Sequence, residues 1–98
     1  MKFDWDEAKN RRNIRKHGFD LADAQALFTG DAPLFVALDP CEEYGEERWI
    51  GIGVLEGIVV VVVVFTERDE DSIRIISLRK ANSRERKAYE EGIKDKLG

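Results

Sequence analysis

The sequence predicts an α+β fold: two N-terminal helices packed on a twisted sheet of three to four antiparallel strands, followed by a C-terminal helix. Three observations predict it. Helix start and stop signals bracket two segments before residue 31, an eight-residue apolar run (IVVVVVVF, Ile58 to Phe65) lies between two further strand-like segments, and Asn82 with Glu85 three residues on opens a charged helical stretch. At 98 residues with 43% apolar content, the chain suffices for one domain spanning residues 1–98 with its own core.

Phe3 to Trp5 is short and aromatic, and Asp4 or Asp6 caps the first helix, which Gly18 stops. This helix has few apolar positions (Trp5, Ala8, Ile14), so most of it faces water. From Lys9 to His17 it holds five cations, Lys9, Arg11, Arg12, Arg15 and Lys16, and no acid. FDLADAQALFTG forms the second helix, with Asp20 as N-cap, Phe19 and Ala24 as a hydrophobic staple, Gly30 at C′, and a buried stripe of Leu21, Ala24, Leu27 and Phe28.

LFVAL then reads as a strand and DPCEEYGEE as an acidic loop. ERWIGIGVL is a strand joined to the valine run by a turn at Glu56 and Gly57, so the two form a hairpin. Six consecutive valines have no polar face and favour strand over helix, which makes this a central strand covered on both sides. ERDED turns the chain into SIRIISLRK, and the final helix includes Tyr89 and extends toward Leu97.

Composition narrows the function. A single cysteine, Cys41, forms no internal disulfide, and the opening residues lack a signal-peptide pattern, so a cytoplasmic location is expected. An eight-residue apolar run falls short of the roughly 20 residues a membrane helix requires, and no membrane role is expected. One Cys and one His do not make a structural zinc site, GIG (Gly51 to Gly53) lacks the following helix of a dinucleotide fingerprint, and nothing places Cys41 or a serine beside His17. With 16 Lys+Arg against 20 Asp+Glu the chain is acidic, yet Arg74 to Lys87 holds six cations against one carboxylate, Glu85.

Strict alternation puts Ile73, Ile75, Ser77 and Arg79 on one face of the last strand and Ser72, Arg74, Ile76 and Leu78 on the other, so Arg74 and Arg79 share a face only if a bulge or the strand end re-aims one of them. Arg79 and Lys80 lie at a strand end before a helix N-terminus, an arrangement suited to a phosphate or to structural ion pairing. Arg84, Arg86 and Lys87 read as a solvated helix face. Glu67 and Arg68 end the valine strand, nearer to Arg74 than to Arg79, as a base held ionised or as a salt bridge across a turn. His17 sits at a helix C-terminus as cap or catalyst, Lys16 is a solvated lysine, and Arg48 is a partner for Glu46 and Glu47. Trp5, Trp49, Phe3, Tyr44 and Tyr89 are too scattered for a base-stacking platform and read as core or core edge.

Taken together, FDWDEAKN (Phe3 to Asn10), Asn13, KHG (Lys16 to Gly18), EER (Glu46 to Arg48), TER (Thr66 to Arg68), IRIISLRKA (Ile73 to Ala81), and ER followed by Tyr89 resemble the BrnT family, toxins of type II toxin–antitoxin modules with a RelE-like fold. Leu78 and Lys80 depart from the family pattern, and Ala37 to Gly45 does not align with it. The resemblance implies a metal-independent endoribonuclease without cofactor that inhibits translation. A BrnA-like ribbon-helix-helix antitoxin would neutralise it, and the complex would reach operator DNA only through that antitoxin. It also implies Arg68, Arg74 and Arg79 on the scissile phosphate, Glu67 as base, Lys16 or His17 approaching from the first helix, and RNA contacts by Lys9, Arg12, Lys80 and Arg84. The alternatives are a catalytically inactive module that binds an antitoxin-like DNA-binding partner, and a small structural domain.

Overall fold

The computed structural model describes residues 1–40 and 45–97. Its elements are β1 (Lys2–Asp4), α1 (Glu7–His17), a 3-10 turn (Leu21–Ala24) running into α2 (Gln25–Thr29), β2 (Phe35–Leu38), β3 (Trp49–Leu55), β4 (Val59–Asp69), β5 (Ser72–Lys80) and α3 (Ser83–Leu97). No helix among the described residues is long and apolar enough to cross a membrane.

The α+β class and the closing helix match the sequence reading, whereas the strand count does not. The sheet has five strands in the order β1-β5-β4-β3-β2 and is mixed, because β1 pairs parallel to β5 from Lys2↔Ser72 to Asp4↔Arg74. Three residues are too few for alternation to register as a strand pattern, and their partner lies 70 residues away in sequence.

β4 is the centre of the sheet, as a strand without a polar face must be. Val61, Val63 and Phe65 turn one face to Leu55, Ile75, Leu78, Leu21, Ala24 and Leu27, all nearly inaccessible to solvent. Phe28 meets Phe65 edge-on at 4.9 Å between ring centroids. On the opposite face α3 packs over β3 and β4. Tyr89 donates its hydroxyl to the Pro33 carbonyl at 2.8 Å and stacks edge-on against Phe35. Val62 is buried on that side, while Val60 and Val64 are only half-buried, so the valine run is fully covered on both faces only around Val61–Val63. The GIG stretch has a packing reason: a Cβ on Gly53 would come within 2.9 Å of Leu27 Cδ2 and 3.1 Å of Leu34 Cδ1, so its absence lets α2 and Leu34 lie against the strand.

The second helical segment is a 3-10 turn followed by one short α-helix. Asp20 caps it through the Ala22 N–H as expected, but Gly30 is extended (φ −81°, ψ 174°) and is not a left-handed C′ residue. Asp6 is the cap of α1, and Gly18 ends it at φ 79°.

Helix α1 buries no apolar residue; its buried positions are Asn10 and Asn13. Asn10 donates to Asp20 Oδ1 at 3.0 Å and accepts the Leu21 N–H at 2.8 Å. Asn13 donates to the Leu78 and Phe19 carbonyls, both at 2.9 Å, and accepts the Leu78 N–H at 3.2 Å. β1 reaches only as far as Arg74, and beyond it the Asn13 amide takes the place of a neighbouring strand on the outer edge of β5.

Between β4 and β5 the register shifts twice. Val64 pairs with Ser77 and Phe65 with Ile75, leaving Ile76 as an extra residue, and a second shift falls between Glu67 and Asp69. Such a bulge reverses the facing of everything beyond it. Leu78 therefore enters the core at 0% exposure, and Ser77 and Arg79 move to the face that carries Arg74. Strict alternation would have placed Leu78 with Arg74 and Arg79 with Ile75; the bulge corrects both.

Candidate active site

The face of β5 and β4 opposite the core carries Arg74 and Arg79, with Thr66, Val64, Val62 and Ser77 beside them in the register. Arg74 pairs with Thr66 and Arg79 with Val62, four residues apart on β4. Their Cα atoms are thus separated by about 13 Å along the sheet. Two long side chains at that spacing flank the half-buried Val64 and Ser77 between them.

Each arginine has a carboxylate partner. Arg74 Nη1 lies 3.4 Å from Asp4 Oδ1 across the parallel β1 pairing. Arg79 is bound more tightly: Nη1 donates to Glu85 Oε1 and Nη2 to Glu85 Oε2, both at 2.8 Å. Glu85 also accepts the Asn82 N–H at 2.9 Å while Asn82 Oδ1 accepts the Glu85 N–H at 2.8 Å, the reciprocal pair of a capping box. Hydrogen bonding from Arg79 holds the Glu85 carboxyl below its ordinary range, with burial opposing and the Asn82 N–H assisting. The same pairing raises the Arg79 guanidinium above its ordinary value against partial desolvation. The N-terminus of α3, expected to be open to a phosphate, thus has the Glu85 carboxylate on it already.

Glu46 bridges two more arginines, with Oε2 3.4 Å from Arg68 Nη1 and Oε1 3.9 Å from Arg48 Nε. Arg68 is at the Arg74 end of the face, remote from Arg79. Glu67 pairs with Ile73, a core residue, and so belongs to the face opposite Arg74. The sequence grouping of Glu67 with the arginines therefore separates: Arg74 and Arg79 share a face, Arg68 flanks it, and Glu67 is turned away.

Lys9, Arg12, Lys16 and His17 line one groove of 320 Å³ together with Asn13 and the bulge residue Ile76. With Asp4 beside Arg74 and Asn13 on Leu78, α1 runs along the free edge of β5 in the same direction as the strand, which sets Lys16 and His17 toward the Arg79 end. Among the described residues no carboxylate lies within ion-pair distance of Lys9, Arg12 or Lys16. Lys80 is exposed at the strand end opposite Val61, and Arg84 is exposed on the first turn of α3. Cys41 and Tyr44 lie outside the described residues. Among the described residues no three His, Cys, Asp or Glu side chains converge as metal ligands.

The pairing of Arg48 with Glu46 follows the sequence reading, whereas sequence reasoning missed the clamp by Asn13, the reach of Glu46 to Arg68, and the second role of Glu85. A signal existed for the first: asparagines at i and i+3 occupy the middle of a helix, where the residue is a poor helix former.

No curated protein sequence matches this chain. Residues 5–85, a span that includes α1, β5 and Glu85, match the family described as "Ribonuclease toxin, BrnT, of type II toxin-antitoxin system". The fold is similar to the crystal structure of the ribonuclease toxin BrnT from Brucella abortus, with 33% identity, a TM-score of 0.65, and coverage of 85% of this chain and 99% of that one. On the family match over most of its length, the chain belongs to the BrnT ribonuclease toxins of type II toxin–antitoxin systems.

Proposed function

We propose that this chain cleaves RNA on the open face of β5 and thereby arrests translation, and that a BrnA-like ribbon-helix-helix antitoxin neutralises it and carries the complex to operator DNA. The observation that supports this reading is the bulge at Ile76, which brings Arg74 and Arg79 to one face. RNA cleavage through the 2′-OH requires a base for that hydroxyl, stabilisation of the charge on the pentacoordinate phosphate, and an acid for the departing 5′ oxygen. Arg74 and Arg79 stabilise the phosphate, with Arg68 at its flank. Lys16 and His17, at the Arg79 end of the groove, are the proton-transfer groups, while Lys9 and Arg12 follow the RNA backbone along α1 and Lys80 and Arg84 along the start of α3. The arginines and lysines of this set are cations, a lining that repels a divalent metal, so the reaction runs on side-chain charge. Glu67 is left without a role because it is turned to the other face, and Glu67→Gln should keep the parental pH–rate profile.

The test is to express the chain alone and with the antitoxin's reading frame while following growth and RNA integrity. Arrest with cleaved RNA, relieved by the antitoxin, is expected of the parent. Arg79→Ala should lose about 100- to 1000-fold in cleavage rate, the cost of removing one stabilising donor; cleavage at the parental rate would remove Arg79 from the mechanism. The second reading, an inactive binding module, draws on the fact that Arg68, Arg74 and Arg79 are already paired with carboxylates. Intact RNA together with a tight antitoxin complex would establish it.

A further inference from the structure

Arginine has five N–H donors in a rigid planar fork. In Arg79, Nη1 gives one to Glu85 Oε1 at 2.8 Å and one to the Lys80 carbonyl at 3.3 Å, and Nη2 gives one to Glu85 Oε2 at 2.8 Å. Three are thereby used. The two that remain, on Nε and on Nη2, lie side by side on one edge of the guanidinium plane and have no hydrogen-bond partner among the described residues. Two adjacent parallel donors match two oxygens of a phosphate.

The end-on contact is itself fixed at its far side. Glu85 belongs to the first turn of α3, and its Oε1 accepts the Asn82 N–H at 2.9 Å. The guanidinium is thus clamped by a carboxylate held by the helix and by a carbonyl of its own strand. A side chain that would otherwise lose rotamer freedom on meeting a substrate has lost it already.

We infer that Glu85 is a positioning residue: it grips the Arg79 guanidinium end-on so that the free Nε/Nη2 edge is presented, pre-oriented, to two phosphate oxygens of RNA on the open face. This rests on the role given to Arg79 above and extends it to a residue that the sequence marks only as a helix cap.

Side-chain NMR of the arginine Nε–H groups, with inorganic phosphate as the probe, tests it alongside RNA cleavage by the intact chain. In the parent the Arg79 Nε–H signal should shift on titration with phosphate. Glu85→Gln keeps an oxygen for the Asn82 N–H but turns an NH₂ group toward Nη2. It should weaken that response and lower kcat for RNA by about 10- to 100-fold, as misplacement of a positioned group does, with the backbone amide spectrum retained. Asn82→Ala disturbs the cap without touching Arg79 and should leave the phosphate response in place. Adding Glu85→Gln to Arg79→Ala should cause no further loss of cleavage. A parental response and rate in Glu85→Gln, or an equal effect of Asn82→Ala, would overturn the inference. Should Arg79→Ala be inactive while Glu85→Gln behaves as the parent, only the positioning role fails; should Arg79→Ala cleave normally, the reading of Arg79 fails with it.

Discussion

Asn13 shows how much one side chain decides in this molecule. Its amide satisfies the Leu78 N–H and the Leu78 and Phe19 carbonyls in a buried setting, where an unpaired backbone group carries a large desolvation penalty. Asn13→Ala should destabilise the fold by about 3 kcal/mol, read as a fall in the urea midpoint at unchanged slope. A loss below about 0.5 kcal/mol, the size of an ordinary surface change, would show that the clamp is not needed. The residue's importance was only half legible. An asparagine inside a helix is visible in the chain, but its partner is 65 residues away and is backbone, which no residue type announces. Glu85 is the converse case. The Asn82–Glu85 spacing declared the cap, and nothing in that spacing told that the same carboxylate would also hold Arg79.

Among the elements, β5 and α3 are coupled through that carboxylate, and the coupling depends on pH. The Glu85 carboxyl is depressed in the folded protein, chiefly by hydrogen bonding from Arg79. A depressed carboxyl contributes stability above its unfolded pKa and loses it as pH falls through the folded value. Asp20, lowered first by the Ala22 N–H and then by Asn10, follows the same sign. Thermal stability should therefore decline on acidification below about pH 4.5, where free carboxyls begin to protonate. The decline should be shallower in Glu85→Gln, since that variant no longer gains a proton at the site. Identical pH dependence in the two proteins would show that the pair contributes nothing. The strands themselves were largely readable: β2, β3, β4, the hairpin between them and the central place of the valine run followed from composition and turn chemistry. β1 and the bulge did not, because a three-residue parallel strand and a one-residue register shift leave no periodicity of their own.

For the whole molecule the question is how an acidic chain, with 20 Asp+Glu against 16 Lys+Arg, meets a polyanion. The charge is segregated: the arginines of the open face are paired with carboxylates, while Lys9, Arg12 and Lys16 line a groove at the sheet edge without such partners among the described residues. Binding of single-stranded RNA should weaken with salt, and replacing those three by alanine should reduce the slope of log K against log salt by about 2, at roughly 0.7 per phosphate contact. An unchanged slope would place the RNA elsewhere. The amino-acid sequence by itself determined the α+β class, the Gly18 stop of α1, the capping box of α3, the buried central strand and the family resemblance, because each rests on local pattern or on residue identities in order. Tertiary structure alone decided that Arg74 and Arg79 share a face, that Glu67 does not, and that Glu85 grips Arg79. Facing depends on register, and register is set by pairing between distant segments, where one extra residue at Ile76 reverses the assignment of every side chain beyond it.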